Sequence, residues 1–434
     1  MMKKHSKIAG LLSTLFMGLG QLYNGQFIKS IIFMLLEIIY IVFFVPFTIK
    51  GIWGLVTLGE TPQRIENGKI IPGDHSIFLM VFGIIAILVL FVFLIVYYAN
   101  IKDAIKVGAI RDKGRRPNNF SESLRVLFNK GFPYLLLTPA GIFTLFLTVL
   151  PLIFGVLIAF TNYSSPNYIP PRALVDWVGF RNFINLFKLP SLKRTFLGVA
   201  TWTVIWAVLA TISTFFVGLV FAVLLNSRRI RLRNFWRTIY ILPWAVPGFI
   251  SILIMRNMFN GQFGPINRYL QAIGLNPVPW FADPLWAKIT CLLVNLWFGF
   301  PYYMALMSGV ITGISKDLYE AASIEGANPR QQFWKITMPM VLFATAPLLI
   351  MGFSYNFNNF TLIYMLTSGG PTNAAYHSAG HTDILLSWLY KLTLEQNQFN
   401  LASVVSILIF IVIAAISIIN FRNTRSFKEE DMIQ

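Results

Sequence analysis

An all-α, polytopic membrane protein with about eight transmembrane helices is what the sequence predicts. Of its 434 residues, 56% are hydrophobic and only 12% are charged, and the mean hydropathy is +0.66. Soluble domains carry about 25% charged residues. Apolar runs of about 20 residues, enough to cross a bilayer, recur along the chain. The basic residues gather in particular loops between those runs rather than spreading evenly.

The spans read as roughly 28–49, 77–99, 133–161, 197–226, 238–258, 285–312, 339–361 and 400–421. Residues 9–23 form a further apolar stretch, short and glycine-rich, preceded by Lys3, Lys4 and Lys7. A signal peptide begins in the same way, but no A-x-A-like cleavage site follows and the next apolar run starts almost at once. The stretch is therefore expected to be retained, as an interfacial or re-entrant helix rather than a full span.

The net charge of +18 would suit a nucleic-acid binder, but its distribution reads as membrane topology. Arg228, Arg229, Arg231, Arg233 and Arg237 share one short loop; Lys102, Lys106, Arg111, Lys113, Arg115 and Arg116 share another. Short loops rich in Lys and Arg stay on the cytoplasmic side. Eight spans place both termini there, with loop 227–237, segment 100–131 and the tail residues Arg422, Arg425 and Lys428. Loop 162–196, with Arg172, Arg181, Lys188, Lys193 and Arg194, runs against the rule and is outvoted.

Three sections follow. Residues 1–130 form an N-terminal membrane extension, a transmembrane hairpin plus the short helix, with the polar stretch Glu60–Ser76 outside. Residues 131–425 form a six-span core with a cytoplasmic loop at 313–338, and 426–434 form a cytoplasmic tail. The longest external loop, 362–398, carries the turn signal Ser368-Gly369-Gly370-Pro371.

Catalytic chemistry is poorly represented. There is no G-x-x-x-x-G-K-[ST] phosphate loop. His377 and His381 lie four apart, but Gly380 and the turn-rich surroundings favour an exposed loop over a metal site. The lone Cys291 cannot form an internal disulfide. Glu37 is the clearest charge within a span; intramembrane carboxylates are functional candidates because an unpaired one is costly in hydrocarbon. Its peripheral position makes a local hydrogen-bonded role an equal alternative. The core spans lack an Asp/Glu/His relay of the kind a proton-coupled carrier uses, which counts against an ion-driven secondary carrier.

Uncharged polar and aromatic residues do recur in the core at helical spacing. Asn295, Phe298, Gly299 and Tyr302 fall at i, i+3, i+4 and i+7, on one helix face. Asn356 and Asn359 share a face on the next span, with Tyr355 adjacent, and Trp244 and Gly248 form an i, i+4 pair earlier. Asparagine amides both donate and accept, aromatic rings offer apolar faces, and glycines allow close approach, so the set suits a neutral polyhydroxyl ligand. Asparagines and small residues also glue membrane helices together, and spacing alone favours that reading.

Between two apolar runs lies Glu320-Ala321-Ala322-Ser323-Ile324-Glu325-Gly326, followed after nine residues by Ile336-Thr337-Met338-Pro339. Asp317 and Glu320 complement the dipole of a short helix, Gly326 permits a turn, and Asn328-Pro329 disfavour continuation. A second short helix is expected at about Arg330–Thr337, with Pro339 opening the next span. Tyr319, Ala322 and Ser323 share a face, and small Ala321 and Ala322 leave room for a partner. An amphipathic interfacial linker would look similar.

The full series resembles the signature loop of permease subunits of bacterial ABC importers, with Met338 where leucine is usual. Further segments resemble the MalF-type maltose/maltodextrin permeases: Ile241-Leu242-Pro243-Trp244-Ala245-Val246-Pro247, Val294 to Tyr302, Phe357-Asn358-Asn359-Phe360 and Ser368-Gly369-Gly370-Pro371-Thr372. The resemblance implies a six-helix core of the type I importer class and a plasma-membrane location. It implies a second, MalG-type permease subunit, two ATPase subunits holding ATP and Mg, and an external sugar-binding protein. No cofactor is then expected on this chain. Glu320, Ala321, Ala322, Gly326 and Pro339 fall on the ATPase-coupling loop. Asn295, Phe298, Gly299, Tyr302, Tyr355, Asn356 and Asn359 fall on sugar contacts bordered by Trp244 and Gly248. Residues 162–196 are short where the best-known member carries a large external insertion, and 1–76 match only loosely. A permease for another sugar-like solute, an ion-coupled carrier and a membrane scaffold are the alternatives.

Overall fold

The computed structural model describes residues 4–227 and 230–423, with side chains through Ile418. The basic side chains read above at Lys3, Arg228, Arg229, Arg422, Arg425 and Lys428, and the tail 426–434, lie outside the described residues. Among the described residues, seven helices are long and apolar enough to cross a membrane, and a bent pair brings the number to eight if it is one span. They are Phe27–Thr57, Ser76–Asp112, Phe132–Ile158, Pro190–Asn226, Pro284–Gly313, Pro329–Phe357 and Phe399–Ile418, with Arg233–Ala245 plus Gly248–Met258 as the pair. Several extend well past the apolar runs, because polar ends continue the same helix into the flanking loops.

Internal contacts gather into two compact units, Met1–Phe180 and Arg181–Gln434. The sequence reading divides the chain at 130. The structural boundary falls later because the Phe132–Ile158 helix and the strand-like segment after it join the first unit. Val175 donates its amide to Ser76 Oγ (3.0 Å), and the Trp177 indole donates to the Val56 carbonyl (3.1 Å).

In the first unit, residues 4–26 form a re-entrant hairpin. Helix Lys4–Leu15 starts beside Asp112, whose carboxylate accepts from the His5 and Ser6 amides at 3.0 and 3.1 Å. It runs antiparallel along the Ser76–Asp112 helix to Thr14, whose carbonyl accepts from Tyr97. After a turn at Met17–Gly18, helix Leu19–Tyr23 returns: Asn24 donates to the Ala104 carbonyl and Arg111 donates to that of Tyr23. Entry and exit lie beside the same end of the long helix, so the stretch does not cross. Glu37 is buried and accepts from the Met17 amide at the hairpin tip, which gives it the local hydrogen-bonded role.

The polar stretch Glu60–Ser76 holds a β-hairpin, Arg64–Glu66 paired with Lys69–Ile71. Asn67-Gly68 forms its two-residue turn, both residues at positive φ (51° and 74°). An Asn-Gly pair between alternating residues is a strong hairpin signal, and the sequence reading passed over it.

Two sequence expectations about helix continuity are corrected. Run 238–258 is not one helix: it bends by 94° between Ala245 and Gly248. Pro243 and Pro247 remove amide donors within one turn of each other, and Val246 is forced into extended backbone (ψ 135°). Run 339–361 is broken too, ending at Phe357 before a new helix, Phe360–Thr367, begins. Pro339 does not open a span. It sits inside the continuous run Pro329–Phe357, just after a π turn at Phe333–Thr337. Two other π turns, Tyr40–Phe44 and Leu145–Val149, likewise end two residues before a proline, Pro46 and Pro151. Widening the preceding turn relieves the clash between a proline ring and the carbonyl four residues back.

The segments read as external loops are ordered. Residues 162–196 contain β-bridges and helix Arg181–Lys188 before the next span starts at Pro190. Residues 362–398 include helix Leu385–Tyr390, with Leu385 and Trp388 buried. His377 is tied down there, its amide donating to Thr195 Oγ1 and its Nε2 3.0 Å from Gln398 Oε1. Among the described residues no group of three or more His, Cys, Asp or Glu could hold a metal ion.

The second unit is built on the long helices Pro190–Asn226 and Pro284–Gly313, packed along much of their length. Trp202, Trp206, Ile252, Val294 and Ile363 form one buried cluster; Phe215, Leu219, Tyr303, Met307 and Val341 form another.

Candidate functional site

A cavity of ≈ 580 Å³ lies within the second unit, between those clusters. All nine residues singled out as possible ligand contacts line it: Trp244, Gly248, Asn295, Phe298, Gly299, Tyr302, Tyr355, Asn356 and Asn359. The continuous Pro284–Gly313 helix supplies Asn295, Phe298, Gly299 and Tyr302 from one face, as the spacing requires. The two broken elements supply the rest. Trp244 and Gly248 reach the cavity from opposite sides of the 94° bend, not from one helix face. Asn356 and Asn359 flank the break at Asn358: Asn356 lies in the last turn of one helix, and Asn359 caps the next by accepting from the Leu362 amide (3.3 Å). Irregular backbone at membrane depth survives only where it is buried in protein or borders a cavity. Both breaks do so here.

The lining divides into held amides and open rings. The Asn356 side chain donates to Thr211 Oγ1 (3.0 Å), while its backbone carbonyl accepts from the Trp206 indole (2.9 Å). Asn359 Nδ2 lies 3.4 Å from Asn295 Oδ1. All three asparagines are buried in the wall, so helix cohesion, the reading that spacing alone favoured, is part of what they do. The aromatic residues differ. Tyr355 is 70% exposed and Trp244 49%. Trp244 is nonetheless fixed, its indole donating to the Phe298 carbonyl (3.1 Å) beside the Tyr302 ring.

The two glycines also differ. A Cβ on Gly299 would come within 2.5 Å of Thr214 Cγ2, so this glycine lets the two long helices touch. A Cβ on Gly248 would meet nothing within 4 Å. Gly299 therefore serves packing, whereas Gly248 leaves open volume.

Sequence reasoning missed Thr214, Phe249, Tyr303, Met351 and Gly352 in the lining. Leu348, Met351 or Gly352, Tyr355 or Asn356, and Asn359 form a stripe at helical period; extending the Asn356 face back two turns would have found it. Gly352 is where the Tyr303 hydroxyl enters the wall, so its signal was a glycine in mid-helix. None of the lining residues is an Asp, Glu, Lys, Arg or His. The cavity offers amides, hydroxyls and ring faces to a neutral ligand.

The polar loop is a compact knob. Ser315 caps helix Lys316–Ile324 by accepting from the Asp317 amide (3.2 Å). The helix closes with a Schellman turn: Ala327 donates to the Ala322 carbonyl (2.9 Å) and Gly326 to that of Ser323 (3.1 Å). Gly326 has φ +79°, which suits glycine. Asn328 and Gln331 then form a capping box that starts the Pro329–Phe357 run. The residues Tyr319 and Ser323 are tied to the helix that follows: Tyr319 Oη lies 2.8 Å from Thr337 Oγ1, and Gln332 donates to Ser323 Oγ (2.8 Å). Glu320, Ala321, Gly326 and Pro339 are exposed and Ala322 is half-buried. Ile324 is 88% exposed, a large apolar side chain at the edge of the knob.

Residues 214–424 match the profile of the family described as "Binding-protein-dependent transport system inner membrane component". The galactooligosaccharides transport system permease protein GanP of Bacillus subtilis is 40% identical over 98% of this chain and 100% of its own length. The chain belongs to the binding-protein-dependent ABC permeases. The maltodextrin permease MdxF of Bacillus subtilis is 38% identical over 99% of the permease described here and 98% of its own length. The maltose/maltodextrin permease MalF of Vibrio cholerae is 44% identical over 57% of this permease, spanning only 48% of that longer protein. In fold, the permease resembles a bacterial alginate ABC transporter solved with a pentasaccharide-bound periplasmic protein. The TM-score is 0.57 at 21% identity, covering 70% of this chain and 97% of that one. The permease is thus a multi-pass inner-membrane transport subunit.

Proposed function

We propose that this permease carries neutral oligosaccharides of the maltodextrin class inward, as one of two membrane subunits of an ATP-driven importer. The observation that carries this reading is the uncharged cavity, in which held amides and half-open aromatic rings face one volume. Sugar hydroxyls would bond to the amide and tyrosine groups, and sugar C–H faces would stack on Trp244, Tyr302 and Tyr355. Relatives covering nearly the whole chain are named for maltodextrin transport. An external binding protein would deliver the sugar.

ATP and Mg would sit on two separate ATPase subunits. Their closure would act through the knob, where exposed Glu320, Ala321 and Ile324 form the docking edge and Gly326 sets its shape. A MalG-type permease would complete the pathway by alternating access, a domain movement of ordinary kind. Both termini would lie in the cytoplasm, the side that the Lys/Arg-rich segments favour. Galactooligosaccharides are the second reading, favoured by the 40% identity to GanP.

The test is ATP hydrolysis by the assembled complex with its binding protein, measured against maltodextrins and galactooligosaccharides in parallel. Stimulation by maltodextrins supports the first reading, and stimulation by galactooligosaccharides alone replaces it with the second. Hydrolysis indifferent to every oligosaccharide rejects both.

A further inference from the structure

We propose, on the docking role given to the knob above, that Tyr319 and Thr337 are positioning residues for coupling. Their hydrogen bond carries the stroke of the ATPase subunits past a weak point in the Pro329–Phe357 run.

The weak point is the π turn at Phe333–Thr337. There the Met338 amide reaches back five residues to the Phe333 carbonyl, and Pro339 has no amide to offer the Trp334 carbonyl in the same way. A ladder interrupted like this bends more readily than an unbroken helix. A push delivered only ahead of the turn would be spent in bending it.

The knob grips the run on both sides of the turn. Gln332, just before it, donates to Ser323 Oγ (2.8 Å). Thr337, its last residue, has Oγ1 2.8 Å from Tyr319 Oη. Tyr319 and Ser323 are four apart on helix Lys316–Ile324, so they stand about 6 Å apart along one face. Gln332 and Thr337 are five apart, and in an unbroken α-helix they would point about 140° away from each other. The extra residue of the π turn brings both round to the knob. Besides relieving Pro339, the widened turn lets one short helix hold two rungs.

The Thr337 hydroxyl serves this contact. Thr211 and Thr345 donate to the carbonyl four residues back, a common habit of helical threonines. Thr337, only 6% exposed, is bonded to Tyr319 instead. Just beyond it, Met338 and Val341 share a buried cluster with Phe215 and Tyr303, and Tyr303 lines the cavity. A displacement of the knob therefore enters that packed cluster through Thr337, on the far side of the turn. Gln332 alone would leave that side free to pivot.

The experiment uses the whole complex in liposomes, with its ATPase subunits, partner permease and binding protein. The probe is maltotriose or a galactotriose, whichever stimulates hydrolysis in the unsubstituted complex. Tyr319→Phe, Thr337→Val, the double variant and Thr337→Ser are compared with the unsubstituted chain. Sugar moved per ATP hydrolysed is expected to fall about three- to tenfold in Tyr319→Phe and in Thr337→Val, the worth of one hydrogen bond. The ATPase subunits should stay bound and hydrolysis stay within about twofold, because neither residue lies on the docking edge. The double variant should match the singles, since all three remove one contact, and Thr337→Ser should keep the unsubstituted ratio. Hydrogen exchange at the Phe333 to Met338 amides should quicken in the uncoupled variants and not in Thr337→Ser.

An unchanged ratio, additive losses in the double variant, or unaltered exchange would overturn the proposal. So would release of the ATPase subunits by Tyr319→Phe, which would make the bond a support for the docking surface alone. Ile324→Asp separates the docking role from the bond. ATPase subunits that stay bound and coupled in that variant would overturn the docking role, and the proposal with it, whatever Tyr319→Phe does.

Discussion

Buried polar groups occur in both units, but those of the first unit's hairpin are packed shut whereas those of the second border a large cavity. In the first, Gly18 donates to the Asn100 side chain, Gln21 donates to the Asn100 carbonyl and to Asp103, and Glu37 accepts from Met17. These bonds run between side chains and the hairpin, and they fasten it to a membrane helix. In the second, Asn295, Asn356 and Asn359 are bonded as firmly, yet they border a cavity faced by exposed rings. Polar residues in a hydrophobic helix therefore do not by themselves announce a binding site. An adjacent void with a broken backbone does.

The comparison breaks most readily at Asn356. Replacing it with alanine should lower sugar uptake by roughly 10- to 100-fold, the equivalent of losing one buried hydrogen-bond partner, in a complex that still purifies intact. Uptake at the unsubstituted level would reduce the cavity to a packing defect. Glu37→Leu should do the reverse, lowering thermal stability in detergent by about 1–3 kcal/mol through the orphaned Met17 amide and leaving transport per folded molecule unchanged. A transport defect without a stability loss would give the first unit a function in the pathway.

The glycines sharpen the contrast within the cavity. Gly299→Ala meets Thr214 and should cost about 1–3 kcal/mol in unfolding measurements. Gly248→Ala enters open space and should change stability by no more than about 0.5 kcal/mol. Its effect should show instead as weaker sugar stimulation of ATP hydrolysis. The smallest effect belongs to half-buried Asp74. Amide donors from Glu60 and then Thr61 hold its carboxyl below its ordinary value. A lowered carboxylate pKa stabilises the fold above the usual aspartate range, and that contribution is lost as pH falls through the folded-state pKa. Protection of the Glu60 and Thr61 amides from exchange, relative to the intrinsic rate at each pH, should fall in acid, and Asp74→Asn should remove that acid dependence.

Much of this was legible in the residues. Length and hydropathy located every long helix, because a bilayer sets a minimum apolar run. Period placed Asn295, Phe298, Gly299 and Tyr302 together, since their helix is unbroken. The same arithmetic failed for Trp244 with Gly248 and for Asn356 with Asn359, where helical phase is reset at Pro247 and at Asn358. The residues still converge because both breaks open on one cavity, and nothing in spacing conveys that. Gly299 shows a second limit: only the neighbour, Thr214, reveals that its missing side chain is filled by another helix. The re-entrant course of residues 4–26 depends on partners such as Asp112 and Asn100, some 80 to 107 positions away, beyond the reach of local pattern.

The run Pro329–Phe357 is in mechanical terms a single stiff arm. At about 1.5 Å per residue, its 29 residues reach roughly 43 Å, with the knob clamped to one end by Gln332 and the cavity wall formed near the other by Gly352, Tyr355 and Asn356. No loop interrupts it to act as slack. A push of a few ångströms at Gln332 must therefore reappear as rotation or sliding at Asn356, or be absorbed at the two places where the ladder is weakened, the π turn before Pro339 and the interior Pro347.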